Sequence, residues 1–400
     1  MADFHQSSVT TIHDLRRQSD AERRAQLTEW TMDTPVSVLL PSLYSELERP
    51  ALAHIVDELR EATWIREIVI GLDRADESQF AAARDYFDAL PQHFRIVWND
   101  GPAMRELDAE LADAGLSPGP GGKGRNVWNC LGYFLASDRG DVIAMHDCDI
   151  VTYEVSMLEK LVAPLVHPDL DLQVAKGFYS RTDAERLNGR VSRLLFAPLA
   201  SALGSIFDDE LVDEFADYLL SFRYGLAGEQ AFTADVARGL SIPCDWGLEI
   251  GVLADVHRRL PSRQICQVDI ADVYDHKHQD LSPTGGGGLE AMAGDIVAAV
   301  VRHLSRMGVD ITPRDAHRLA ARYRATAEQR LDQYRADALL NGLSYDFDRE
   351  LEAVGRFAAV VAGAAENGPA ARVAPTWAEV DARIPDFLER LEKVVEADNA

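Results

Sequence analysis

Cysteine is scarce in this 400-residue chain, which contains only four. Cys130, Cys148, Cys244 and Cys266 show no CxxC spacing, so the pattern of a structural zinc site is missing. Four scattered cysteines in a chain of this length also do not form a disulfide framework. We therefore expect free thiols in a reducing compartment.

Long apolar runs are missing as well. No segment approaches the roughly 20 apolar residues that a membrane-spanning helix needs. Residues 1–24 are polar and lack the apolar core of a signal peptide. These absences predict a soluble, cytoplasmic protein with no membrane partner.

Acidic residues greatly outnumber basic residues in this sequence. The chain has 40 Lys and Arg against 66 Asp and Glu, a formal net charge of -26, and lysine is scarce beside arginine. Such a surface repels nucleic acid and anionic lipid, so a polyanion-binding role is disfavoured. The acidic excess fits either a salt-rich cytoplasm or a GC-rich genome, and composition does not separate the two.

What the chain does have is an alternation of apolar strands and helical segments. Hydrophobic residues make up 47% of the sequence, enough for one large domain or two modest ones. Short apolar strands are predicted at residues 36–40, 67–71, 94–98 and 141–145, with helices at 51–62 and 125–136, and Pro41 is expected to end the first strand. This rhythm predicts an α/β fold with a mostly parallel sheet, in which ligands bind at the carboxyl ends of the strands.

The pattern of the remaining residues divides the whole chain into three parts. Strands are predicted at residues 172–178 and 265–274, a helix at 187–203, and helices over 289–364 and 376–396. Four consecutive glycines at 285–288 indicate a hinge or a lid, and residues 279–288 are predicted to form either a lid over the site or a plain linker. We expect a helical lead-in (1–34), a catalytic domain (35–284) in two halves (35–150 and 151–284), and a helical C-terminal extension (285–400).

An acidic pair follows the fourth predicted strand. Asp147 and Asp149 flank Cys148 on the loop that leaves this strand. Two carboxylates so placed can hold Mg²⁺ or Mn²⁺ against a diphosphate, because hard cations prefer oxygen ligands. A bare D-x-D also occurs by chance in an acidic chain, so its position after a buried strand is what favours the metal interpretation.

Two other loops carry candidate ligand-binding groups. Gly121-Gly122-Lys123-Gly124 precedes a helix, where backbone N–H groups and one lysine can face an anion, although an ordinary turn has the same composition. His276 and His278 follow the strand at 265–274. One of these imidazoles can ligate a metal while the other meets a substrate, or both can lie on a solvated loop.

Arg190 and Glu249 complete the candidates. Arg190 lies near a predicted helix start, where a guanidinium suits a carboxylate or a phosphate, although surface arginines are the commoner case. Glu249 is a lone acid in an apolar stretch. It is either a buried functional carboxylate or an acid at a helix start that the helix dipole favours.

Taken in order, the motifs resemble retaining GT-A glycosyltransferases, and most closely the glucosyl-3-phosphoglycerate synthases. The similarity extends over residues 36–281, and no single motif decides it. The ordered set is Leu-Pro-Ser-Leu-Tyr-Ser-Glu (40–46), Gly-Lys-Gly (122–124), Asp-Cys-Asp (147–149), Lys-Gly-Phe-Tyr-Ser-Arg (176–181), Gly-Arg-Val-Ser (189–192), Ala-Gly-Glu (227–229), Gly-Leu-Glu-Ile-Gly (247–251) and Asp-His-Lys-His (275–278).

The resemblance implies a GT-A, Rossmann-like sheet with flanking helices and a role for each candidate. The donor half is 35–150 and the acceptor half 151–284. The implied donor-binding residues are Pro41, Ser42, Leu43, Glu46, Lys123, Asp147, Cys148 and Asp149. The implied acceptor-binding residues are Gly189, Arg190, Ser192 and His278. The implied metal ligands are Asp149 and His276, and the implied catalytic residues are Lys123, Asp149 and Glu249.

The activity that the resemblance implies is transfer of glucose from UDP-glucose to 3-phosphoglycerate, with a divalent metal (Mg²⁺ or Mn²⁺), in a homodimer. The acceptor side departs from the family pattern, because His278 replaces a usual Asn and Ser192 a usual Thr. Glucosyl transfer to free glycerate therefore stays open, and mannosyl transfer from GDP-mannose is a further alternative. A catalytically silent nucleotide-sugar sensor and a nucleotidyltransferase are the alternatives from other classes.

Overall fold

The fold comes from a computed structural model that describes residues 5–182, 185–275, 288–368 and 373–400. The strands are β1 (Thr10–Ile12), β2 (Val36–Leu43), β3 (Ile65–Asp73), β4 (Phe94–Trp98), β5 (Val142–Met145), β6 (Val174–Arg181), β7 (Gln230–Thr233) and β8 (Ile265–Tyr274). The helices before β8 are α1 (Asp20–Asp33), α2 (Pro50–Leu59), α3 (Glu77–Phe87), α4 (Pro102–Asp113), α5 (Lys123–Ser137), α6 (Val155–Val166), α7 (Ala197–Ile206), α8 (Glu210–Ser221), α9 (Ala234–Gly239) and α10 (Leu248–Arg259). After β8 come α11 (Leu289–Arg306), α12 (Pro313–Leu340), α13 (Phe347–Asn367), α14 (Trp377–Arg383) and α15 (Phe387–Asp398).

The strands form one sheet in the order β1-β8-β6-β7-β5-β2-β3-β4. All neighbouring strands are parallel except β7, which runs antiparallel to both β5 and β6. The predicted α/β, mostly parallel architecture is confirmed. Sequence reasoning missed β7, because its four residues (QAFT) form no apolar run, whereas those of the equally short β5 (VIAM) do.

β2 continues past Pro41, so the expectation that this proline ends the strand was wrong. β3 pairs with β2 as far as Leu43, whereas β5 pairs only as far as Leu39. Pro41 therefore lies beyond the end of β5. The missing proline N–H costs no ladder hydrogen bond where one neighbouring strand has already ended.

Two apolar layers cover the two faces of the sheet. Val36, Val38 and Leu40 of β2 pack in the layer that contains α2 and α6. Leu39 faces the opposite layer, which contains α5, α10 and the C-terminal helices. Side chains alternate across a strand, so a continuous apolar run fits a strand that is covered on both faces.

The first 34 residues contribute to the sheet as well as forming a helix. β1 pairs in parallel with β8 and becomes the edge strand, with Thr10 opposite Cys266. α1 begins at a capping box formed by Ser19 and Glu22 and packs on α6. The strand is three residues long, and its partner is more than 250 positions away in sequence, so local pattern gave no sign of it.

The helices of the C-terminal extension lie against the sheet domain. α12 packs on α7 and α13, and the Tyr323 hydroxyl donates to the carbonyl of Leu194 at 2.6 Å. Farther along, Trp377 stacks on Trp128 of α5 with ring centroids 4.0 Å apart. No helix within the described ranges is long and apolar enough to cross a membrane.

Candidate active site

A cavity of about 1460 Å³ opens at the carboxyl ends of β2, β3 and β5. Every predicted site residue within the described ranges lines it: Pro41, Ser42, Leu43, Glu46, Lys123, Asp147, Cys148, Asp149, Gly189, Arg190, Ser192 and Glu249. His276 and His278 lie outside the described residues, as does the segment 279–287 of the predicted lid. Residues more than 200 positions apart in the chain therefore share one concave site.

The first wall of the cavity is the end of β2 and the 3₁₀ turn Tyr44–Glu46 that follows it. The Ser42 hydroxyl donates to the carbonyl of Leu43 at 3.0 Å. The side chain of Glu46 is buried, and its carboxylate lies 3.3 Å from the Arg49 guanidinium. The polar groups of this turn are thus held by local contacts at the rim of the cavity.

Lys123 lies at the centre of the site. It is the first residue of α5, and its ammonium contacts Asp147 at 2.7 Å and Glu249 at 3.0 Å. Burial alone would lower the pKa of Lys123, but the two carboxylates outweigh burial and hold this pKa well above its ordinary value. The lysine therefore stays charged and joins the loop after β5 to the start of α10.

A glycine makes this arrangement of Lys123 possible. Gly124 lies so close to the backbone of Pro243 that a Cβ would collide with the carbonyl oxygen of that proline. The absence of a side chain lets the first turn of α5 approach the segment that leads to Glu249. The sequence therefore needs a glycine next to the lysine for a steric reason.

The loop after β5 presents its two carboxylates to the cavity and turns Cys148 inward. Cys148 is buried, and burial raises the pKa of its thiol, so it acts as a small apolar side chain here. Asp147 packs closely on the backbone at Gly228, where a Cβ would lie 2.5 Å from the carboxylate. Asp147 is thus ion-paired with Lys123, and Asp149 lies two residues later on the same loop.

Sequence reasoning missed a polar network at the ends of β3 and β4. The Asn99 amide donates to Asp73 at 2.7 Å, and the Asn129 amide donates to the side-chain oxygen of Asn99 at 2.8 Å. Burial raises the pKa of Asp73, although hydrogen bonds from Asn99 and Asn126 oppose the rise. Both positions followed predicted strands, and the rule that ligands bind at carboxyl ends was the available signal.

The other side of the cavity carries the predicted acceptor segment. Gly189 has φ of 71°, a left-handed conformation that favours glycine, and a π-helical turn spans Val191–Phe196 before α7. The prediction of a helix over 187–203 therefore holds only from position 191. π-helical turns are rare in proteins and occur often at functional sites.

Arg190 is held by the C-terminal extension. Its Nε donates to Glu350 of α13 at 2.7 Å, and Arg193 donates to the other oxygen of the same carboxylate at 2.9 Å. The sequence gave no sign of this contact, because 160 residues separate Arg190 from Glu350.

A buried aromatic cluster supports the floor of the site and was also missed. Tyr179 and Tyr274 stack with ring centroids 3.7 Å apart, and both hydroxyls donate to Glu229 at 2.6 Å. Burial raises the pKa of Glu229, and the charge of Asp147 adds to the rise. Arg181, at the end of β6, donates to the Tyr224 hydroxyl at 3.0 Å.

The chemistry of the donor set fits a hard divalent cation. Carboxylate oxygens are the ligands that Mg²⁺ and Mn²⁺ prefer, and Asp149 offers one inside the cavity. Within the described ranges, no group of three or more His, Cys, Asp and Glu side chains is arranged to hold a metal. Asp149 would need further ligands, from substrate oxygens or from His276, to complete a coordination shell.

Comparisons with known proteins identify relatives of this chain. No protein-family model matches the chain. It is similar over its whole length to glucosyl-3-phosphoglycerate synthases from Persephonella marina (37% identical over 405 residues, 100% of both chains) and Methanococcoides burtonii (35% over 404 residues, 99% of this chain and 98% of the relative). A crystal structure of the Mycobacterium tuberculosis enzyme with Mn²⁺, UDP-glucose and phosphoglyceric acid matches 76% of this chain and 89% of that one, with a TM-score of 0.54 and 23% identity.

The fold and the full-length similarity define the class of the protein, which is a GT-A glycosyltransferase. Within that class, the chain belongs to the glucosyl-3-phosphoglycerate synthase family. The family expected from the motifs is confirmed.

Proposed function

We propose that this protein transfers glucose from UDP-glucose to 3-phosphoglycerate, giving glucosyl-3-phosphoglycerate and UDP. The observation that carries the proposal is the ion-paired cluster of Asp147, Lys123 and Glu249, which joins the strand ends of one half of the cavity to α10 of the other. A donor and an acceptor bound on the two sides would meet at this cluster. Full-length relatives with that enzyme name support the proposal.

Each side of the cavity suits one substrate. On the donor side, residues 41–46 would hold the nucleoside, and Lys123 and Asp149 would face the diphosphate and its metal. On the acceptor side, Gly189, Arg190 and Ser192 would bind the anionic acceptor, since a guanidinium pairs well with phosphate or carboxylate. A cation there concentrates an anionic substrate that the acidic surface would otherwise repel.

A divalent cation, when bound, would neutralise the charge that grows on the departing diphosphate. The residues expected to hold it are Asp149 and His276. The chain's own groups would then orient the substrates, and Arg190 would place the acceptor hydroxyl beside the anomeric carbon. Glu249, whose carboxylate lies 3.0 Å from the Lys123 ammonium, would face the transferred sugar. We favour retention by same-face attack, with the leaving phosphate accepting the proton of the acceptor hydroxyl.

A panel of substrates tests the proposal. UDP-glucose and GDP-mannose are each combined with 3-phosphoglycerate and with glycerate, in the presence of Mg²⁺ or Mn²⁺, and the products are identified by NMR. We expect turnover with UDP-glucose and 3-phosphoglycerate, and an α-linked product. Preference for GDP-mannose would make the protein a mannosyl transferase, and preference for glycerate would make it a glucosylglycerate synthase.

We also propose that the protein acts in the cytoplasm as a homodimer and supplies a precursor of glucosylglycerate, an anionic compatible solute. The net charge of -26 suits a salt-adapted cell. Light scattering on the purified protein measures the oligomeric state, and a monomer at micromolar concentration would refute the dimer. Loss of glucosylglycerate from cells that lack the protein tests the physiological role.

A further inference from the structure

The C-terminal extension reaches the acceptor side of the cavity through one buried carboxylate. Glu350 lies in the first turn of α13, and its side chain is 5% exposed. Its two oxygens accept hydrogen bonds from Arg190 at 2.7 Å and Arg193 at 2.9 Å. A single carboxylate thus connects the extension to two arginines next to the site.

The extension holds the second arginine by a further contact. The guanidinium of Arg193 lies 4.8 Å from the ring centroid of Tyr334, on α12. Its Nε also donates to the carbonyl of Asn188 at 2.8 Å, which closes the backbone of the acceptor segment on itself. Arg193 therefore fixes this backbone from one side while α12 and α13 hold Arg193 from the other.

The backbone of the acceptor segment needs such support. Gly189, with its positive φ, immediately precedes Arg190, and glycine is the residue with the most backbone freedom to lose on ordering. A guanidinium that must meet an anion in a defined orientation gains from being fixed before the ligand arrives. The buried carboxylate supplies that fixation, because charge-assisted hydrogen bonds to arginine are directional.

We infer that Glu350 is a positioning residue for the acceptor: it holds the Arg190 guanidinium in its binding orientation, so the C-terminal extension is a working part of the acceptor site. This inference rests on the proposed function. One carboxylate shared by two arginines also leaves a net positive charge on the segment. The segment can therefore be ordered without losing its attraction for an anion.

An electrostatic role and a positioning role for Glu350 predict opposite changes in the KM for 3-phosphoglycerate when the carboxylate is removed. If Glu350 acted only through its charge, Glu350→Gln would make the site more positive, and the KM for 3-phosphoglycerate would fall. If Glu350 positions Arg190, the same change frees the guanidinium, and that KM rises. We expect a rise of about tenfold, because small misplacements of a binding group weaken catalysis strongly. The KM for UDP-glucose should stay within about twofold, since the donor side is untouched.

The experiment compares Glu350→Gln with a control on the same helix. Glu352→Gln removes an exposed carboxylate of α13 that pairs with Arg356 at 2.6 Å, away from the cavity lining. KM and kcat for both substrates and the melting temperature are measured for each variant. We expect the KM for 3-phosphoglycerate to rise only in Glu350→Gln.

A second variant covers the case in which Glu350→Gln does not fold. Tyr334→Leu removes the ring next to Arg193 and leaves the carboxylate in place, so the same KM should rise by a smaller factor. An unchanged or lower KM for 3-phosphoglycerate in whichever variants fold overturns the inference, as does an equal rise in Glu352→Gln. If the unmodified protein does not transfer glucose to 3-phosphoglycerate at all, that result refutes the proposed function. It is distinguishable from a failure of the inference about Glu350, which concerns only the variants.

Discussion

Replacing Lys123 by methionine tests the central ion-paired cluster. Methionine keeps much of the length and apolar surface of lysine but removes the ammonium between Asp147 and Glu249. The two carboxylates then face each other with no cation between them. We expect the variant to fold but to be less stable and to lose glucosyl transfer.

The magnitude follows from burial and geometry. Removing one partner of a buried ion pair costs about 3–5 kcal/mol, because it leaves a charge buried without its counterion. The side chains of Lys123, Asp147 and Glu249 are 24%, 23% and 13% exposed, so some solvent screening remains. We therefore expect about 3 kcal/mol, at the lower end of that range.

A second substitution separates stability from function. In the double variant Lys123→Met/Glu249→Gln, one of the two opposed charges is gone. We expect it to recover about 1–2 kcal/mol of the lost stability, as neighbouring groups are not additive. Activity should not return, because the double variant still lacks the lysine that we propose to face the donor.

Urea unfolding at pH 7 gives the free energies, and UDP release from UDP-glucose with 3-phosphoglycerate gives the activity. Lys160→Met is the matched control, since Lys160 pairs with Asp14 at 2.8 Å and is 17% exposed, outside the cavity lining. It should lose stability but retain turnover. Normal turnover in Lys123→Met, or a double variant that is less stable than Lys123→Met, would refute the reasoning.

Three further outcomes are expected. Asp149→Ala should abolish transfer at sub-saturating Mn²⁺, because losing a catalytic metal ligand removes several kcal/mol of transition-state stabilisation; near-normal UDP release would reject the assignment. Arg190→Lys keeps the charge but loses the planar guanidinium, so the KM for 3-phosphoglycerate should rise while donor hydrolysis stays similar. A change only in the KM for the donor would move Arg190 to the donor side. Burial lowers the pKa of His303 to about 4. The stability that the neutral imidazole contributes is therefore present above pH 6.5 and lost as the pH falls from 6.5 to 4, by up to about 3 kcal/mol. His303→Leu should flatten this acid loss in urea unfolding at pH 7 and pH 4.5, and an equal loss in both proteins would contradict the prediction.

The predicted lid, residues 279–288, stays a prediction, because all of it but Gly288 lies outside the described residues. We expect the segment to close when UDP and metal bind, which would exclude water from the donor. Hydrogen exchange with and without UDP and Mn²⁺ measures this closure. Equal, fast exchange in both states would leave a plain linker.

Much of the site was readable from the sequence because it lies at the ends of strands. An apolar run such as 94–98 shows its strand directly, and the parallel order then places the loops that follow such strands at one edge. Asp147 and Asp149 were found in this way, Lys123 was found from the glycine-rich loop that opens α5, and all three line the cavity. Local pattern suffices where a function depends on residues that sit next to a strand or helix end.

Contacts between distant segments were decided only by the tertiary structure. The pairing of β1 with β8, the antiparallel β7 and the contact of Glu350 with Arg190 each join segments that carry no mutual signal in one sequence. The physical reason is that burial and ion pairing depend on the position in space, whereas periodicity reports only which face of an element is apolar. The sequence alone thus determined the mostly parallel α/β architecture, the family and twelve of the residues that line the cavity. Folding decided that the C-terminal helices hold the segment around Arg190.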